Sequence, residues 1–127
     1  MIQAFSEHII FFDTEFTTLD PERGQLMSIG LVTYSGRELY LELEYDELTV
    51  EPWVKKHVVP TLTQRKTPRD AARQRIRRFV GTAKKEKDKP FLMSYVNQFD
   101  AIYWYKLFGS PKDHPAFWIP IDFASIL

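Results

Sequence analysis

Two acidic side chains, Asp13 and Glu15, close the segment His8-Ile9-Ile10-Phe11-Phe12-Asp13-Thr14-Glu15-Phe16. On a strand, residues i and i+2 point to one face, so the two carboxylates share a side. Ionised groups at the end of so apolar a run are costly unless something neutralises them. A hard divalent cation would do so, and so would a strand end running into a solvated loop. A third acid, Asp100, follows the apolar run Phe91-Leu92-Met93 and falls in the first turn of an expected helix. Opposing the helix dipole is role enough for an isolated aspartate in that position. Carboxylate oxygens suit Mg²⁺ or Mn²⁺, and thiolate chemistry is excluded because the chain has no cysteine. The three histidines, His8, His57 and His114, lie too far apart in sequence to suggest a zinc site.

The elements that must position these acids follow from patterning. His8–Phe12 is short, apolar and rich in β-branched and aromatic residues, as in a strand buried on both faces. Leu26–Thr33 reads as a second strand and Arg37–Tyr45 as a third, joined by a tight link at Ser35-Gly36. In the third, leucines alternate with Tyr40, Glu42 and Glu44, predicting one wet face. Together they make an antiparallel meander. A short helix is expected within 50–59, stopped by Pro60. Thr67 is suited to cap a second helix, with Pro68 at its first position, Ala72, Ile76, Phe79 and Val80 facing the core, and Gly81 ending it. Its other face carries Arg69, Arg73, Arg75, Arg77 and Arg78, a solvated surface or one that meets a phosphate backbone. Phe91–Met93 reads as a buried strand, 97–108 as an aromatic-rich helix closed by Gly109, and Phe117–Ile119 as a fifth strand. Asp122 could cap a further helix. The order β-β-β-α-β-α-β is a mixed α/β layer architecture.

Length and composition bound the rest. The 127 residues, 44% of them hydrophobic, suit a single domain with one core. Seventeen basic residues balance seventeen acidic ones, so any binding of nucleic acid must rest on local patches or metal ions. No run approaches the ~18 apolar residues of a membrane helix. The first residues lack the basic start and long apolar stretch of a signal peptide, which makes the cytoplasm the expected compartment.

In combination, these features resemble the DEDD superfamily of 3′–5′ exonucleases, most closely its bacterial exoribonuclease AS-type branch. The first motif of that superfamily, a strand ending in Asp-x-Glu, is matched by Asp13 and Glu15, followed by Phe16 as in that branch. Its Ile-Gly pair on the second strand is matched by Ile29-Gly30, and its aromatic-Asp pair by Phe99-Asp100 after Tyr95-Val96. The segment 51–60, with Trp53, Val54, Val58 and Pro60, also looks like that branch. The similarity runs from about His8 to Ile119.

The resemblance implies a ribonuclease H-like fold over 1–127: an antiparallel meander extended by parallel strands and flanked by helices. It implies two-metal hydrolysis of phosphodiester bonds in single-stranded nucleic acid, RNA rather than DNA. Asp13 would bridge both ions, Glu15 would hold the ion that activates water, and Asp100 the ion near the leaving group. Phe16 and Thr17 match positions that contact the terminal nucleotide, and Phe16 or Tyr95 could stack on a base or simply pack. The alternative is a non-catalytic relative that binds nucleic acid or protein. A homodimer is a further expectation, with Trp104, Phe117 and Trp118 suited to an interface or to the core. The family's third motif, a His or Tyr a few residues before a final Asp, has no counterpart here. His114 and Asp122 are out of place for it, so this form is expected to be C-terminally incomplete, to bind one ion readily and to cleave poorly.

Overall fold

The computed structural model describes residues 8–63, 65–95, 98–109, 113–117 and 120–122. Three long strands dominate: β1 (Ile9–Phe16), β2 (Leu26–Thr33) and β3 (Glu38–Leu43). They pair antiparallel in sequence order. The β2–β3 hairpin turns at Gly36, whose φ of 95° is a left-handed conformation that glycine adopts without strain. Its N–H donates to the Thr33 carbonyl.

Beyond the meander the sheet turns parallel. Strand β5 (Phe91–Ser94) runs alongside β1, and β6 (Ile121–Asp122) alongside β5. A two-residue strand, β4 (Lys66–Thr67), adds in parallel to β3. The order β4-β3-β2-β1-β5-β6 is the mixed α/β sheet expected of a ribonuclease H-like fold, a meander continued by parallel strands.

Helices α2 (Arg69–Val80) and α3 (Gln98–Phe108) pack on one face of this sheet. The core forms there, from Ile10 and Phe12 of β1, Ile29 and Leu31 of β2, Leu41 and Leu43 of β3, Ala72 and Ile76 of α2, and Tyr103, Trp104 and Leu107 of α3. Trp104 is fully buried, meeting Phe12 edge-on at 6.0 Å between centroids. Removing such a ring costs ~3–5 kcal/mol. The indole is thus core and gives no support to a dimer interface. On the other face Phe11, Val32 and Tyr40 are 40%, 38% and 55% exposed, so that side of the sheet is partly open.

Four local expectations are corrected. Glu42 was expected on a wet face but is buried, because the loop through Thr63 folds over it. Its Oε2 accepts from the Tyr40 hydroxyl and from both the N–H and hydroxyl of Thr63. Thr67 belongs to β4 and does not cap α2; Pro68 takes the cap position without a side-chain bond, one residue later than expected. The late strand is found at Ile121–Asp122, and Phe117 lies outside any strand, packed at 4.7 Å on Phe91. Asp122 is a strand residue, opposite Ser94. Trp118 and Ile119, and any helix after Asp122, lie outside the described residues. The short helix appears as α1 (Pro52–His57), followed by a 3-10 turn at Val59–Thr61 that contains Pro60. No helix among the described residues is long and apolar enough to cross a membrane.

Candidate active site

Along β1, exposure alternates: Ile10, Phe12 and Thr14 are buried against the helices, while Phe11, Asp13 and Glu15 point to the open face. Asp13 and Glu15 therefore share a side, as their spacing requires. Gly30 stands opposite Asp13 in the ladder, and a Cβ there would meet nothing within 4 Å, so the flank of Asp13 is open.

Asp100 arrives from the other side. It lies in the first turn of α3, just past the end of β5, and its Oδ1 accepts a hydrogen bond from the Thr14 hydroxyl. The β1–β5 register ends at Phe11 opposite Met93, so among the described residues the edge of β1 beyond that point has no strand neighbour on this side. Acids from the two faces come near one another around that free edge. Burial, then the charge of Asp13, then that of Asp100 push the Glu15 carboxyl above its ordinary range. Asp100 is also raised, first by burial; the Thr14 hydroxyl opposes the rise and Asp13 adds to it.

The donors are carboxylates and hydroxyls, which suits a hard cation and no soft one. As placed, however, no three His, Cys, Asp or Glu side chains among the described residues gather into a ready metal-binding group. Asp100 is turned to Thr14, while Asp13 and Glu15 lie across the strand.

The three expected substrate positions diverge. Tyr95 is 66% exposed and lines a hollow of about 440 Å³ that it shares with Asp13, Phe11 and Met93. Phe16 is half-buried, its ring stacked at 4.6 Å and 9° on Tyr103 and at 5.8 Å near Phe99. That face of the ring is packing, and Phe16 also lines the hollow beside Glu15. Thr17 is fully buried, and its hydroxyl accepts from the Gln25 N–H while its own N–H donates to the Gln25 carbonyl. It pins the 17–25 loop.

Sequence reasoning missed Thr14, hidden between the two acids it separates. It also missed Glu51, whose Oε1 accepts from the Thr18 hydroxyl and, at 3.3 Å, from the Leu19 N–H. Glu51 and Glu15 line a second hollow of about 390 Å³ with Leu19 and Trp53. Trp53 is 63% exposed and stacks on His57 at 4.5 Å. An Asp or Glu before a proline-started helix was the available signal, but a bond across 33 residues has no local pattern.

A mixed α/β sheet with three acids around the end of its central strand defines the structural class. No family model matches the chain. The chain is similar to two curated 3′–5′ exoribonucleases of Mycobacterium tuberculosis, one from strain CDC 1551 and one from strain H37Rv. Identity is 34% over 107 residues in each case, covering 78% of this chain and 60% of the relative. The chain thus spans less than two thirds of the length of these relatives. Among solved structures, it is similar to the family B DNA polymerase of Pyrobaculum calidifontis, with a TM-score of 0.43 and 21% identity, over 81% of this chain and 11% of that one.

Proposed function

We propose that this chain carries a 3′–5′ exonuclease site for single-stranded RNA, with Asp13, Glu15 and Asp100 as its acidic residues. One observation carries the reading: Asp100 stands 87 and 85 positions from Asp13 and Glu15 in sequence, yet Glu15 and Asp100 are both pushed above the ordinary carboxylate range, first by burial, with the charge of Asp13 adding to each and that of Asp100 adding to Glu15. Like charges brought together in this way call for a cation. The similarity to the two mycobacterial exoribonucleases supports RNA as the substrate class.

Asp13, Glu15 and Asp100 would hold Mg²⁺ or Mn²⁺, which when bound supplies charge to a scissile phosphate and to an attacking water. The residues themselves do the placing. Asp13 and Glu15 are fixed by the strand ladder, and Asp100 by the first turn of α3 and the Thr14 hydroxyl. For one ion to be shared, these carboxylates must come closer together than they stand here. Tyr95, exposed beside Asp13, offers a ring on which a base can stack.

Incubation of 5′-labelled single-stranded RNA with Mn²⁺ tests this. A slow ladder of products shortened from the 3′ end, seen with enzyme in excess and lost in Asp13→Ala, is the expected result. Intact RNA over the same time course overturns it. The Asp100–Thr14 bond favours a second reading, a non-catalytic module whose Asp100 is a structural acceptor. In that case the chain would retain RNA on a filter with or without chelator.

A further inference from the structure

We propose that a basic pocket beside the 20–25 turn, lined by none of Asp13, Glu15 and Asp100, binds a phosphate group. The pocket encloses about 250 Å³ and is lined by Arg23, Arg69 and Lys106, with Gly24 and Leu26 between them and Glu22 as its one acidic residue. Three elements meet here: the turn that follows β1, the first residue of α2 and the last turn of α3.

The cations are held but not neutralised. Lys106 Nζ donates to the carbonyls of Pro21 and of Gly24, the latter at 2.6 Å. Arg69 Nη1 donates to the carbonyls of Leu26 and Glu44, both at 3.3 Å. Among the described residues, neither pairs with a carboxylate. Carbonyl oxygens orient a cation but leave its charge intact. An ammonium has three donors and a guanidinium five, so each keeps donors to spare after these bonds. The burial of Arg69, followed by the nearby charge of Arg73, lowers its pKa, the mark of positive charge without a counter-ion. Arg23 is exposed and lines the same pocket. A phosphate supplies both the charge and the fork of acceptor oxygens that a guanidinium fits.

Such a phosphate could belong to a nucleic-acid strand or to a small phosphorylated compound. Amide NMR of the whole chain in chelator separates these sources. Inorganic phosphate is titrated at constant ionic strength with chloride as the reference, and a single-stranded oligoribonucleotide is titrated in parallel. Saturable shifts centred on Gly24, Arg69 and Lys106 are expected in one or both arms. Saturation by the oligonucleotide at least tenfold below inorganic phosphate assigns the pocket to a strand, and the reverse order to a free phosphate compound. Arg23→Ala should raise the midpoint at least threefold with the spectrum otherwise unchanged. Lys106→Met should abolish saturation; since Lys106 also holds the turn, Arg23→Ala carries the test if that variant does not fold. Shifts that do not saturate, that chloride reproduces, or that Arg23→Ala leaves unchanged overturn the proposal.

Discussion

The Thr14 hydroxyl donates to the Asp100 carboxylate across 86 positions of sequence, tying the middle of the Asp13-Thr14-Glu15 triplet to the first turn of α3. The residue between two acids thus positions a third. Thr14→Val keeps the β-branched shape and removes the donor. It should cost ~1–3 kcal/mol of unfolding free energy in chelator, because a buried acceptor loses its partner. Urea denaturation of both forms measures this, and an unchanged midpoint would show that the bond contributes nothing.

Gly24 supports the same region by having no side chain. A Cβ there would fall inside the Tyr103 hydroxyl, which is itself bonded to the Thr18 carbonyl. Gly24→Ala should destabilise by ~1–3 kcal/mol, the usual cost of overpacking. A thermal melt is sufficient to detect it.

Tyr103 also sets an alkaline limit. Burial, with the charges of Asp20 and Glu51, pushes its phenol from 10.0 to about 12. Between these values the unfolded chain ionises and the folded one does not, so unfolding releases a proton and stability falls as pH rises. The loss begins near pH 10, is complete near pH 12, and is on the order of 2 kcal/mol. Tyr103→Phe should lack this component, which makes its denaturation midpoint flatter than the parent's over that range.

Tyr95 discriminates between packing and substrate contact. If its exposed ring stacks on a base, Tyr95→Ala should lower kcat/KM on RNA roughly 5- to 100-fold, the equivalent of ~1–3 kcal/mol. Tyr95→Phe should restore most of the rate. Stability should move by less than ~0.5 kcal/mol, as for other surface changes. Equal rates in all three proteins would remove Tyr95 from the site.

The sheet and its helices were legible where period is strong. The run before Asp13, the alternating leucines of β3 and the 3.6-residue spacing of Ala72, Ile76, Phe79 and Val80 each announce an element and its buried side. Two-residue strands such as β4 and β6 have no period to read, since their pairing is decided by what lies beside them. Glu42 was misassigned for a related reason: alternation tells which face a residue is on, not whether a distant loop covers that face. Arg69, Arg73 and Arg77 show this on a helix. All three are half-buried, donating to carbonyls of β2 and the chain after β3, of α3, and of Asp113. Of the expected site residues, Asp13 and Glu15 stand together, Asp100 stands near them but bonded elsewhere, and Tyr95 is open beside Asp13. Phe16 has one face committed to packing and Thr17 is committed to the 17–25 loop, by partners that no short motif encodes.

The account depends most on the acids at 13, 15 and 100 sharing one hard cation, and titration calorimetry with Mn²⁺ on the metal-free chain tests that directly. The parent should bind saturably, and Asp13→Ala, Glu15→Gln and Asp100→Asn should each weaken binding at least tenfold. A parent that takes up no ion, or an Asp100→Asn variant that binds as the parent does, would contradict it.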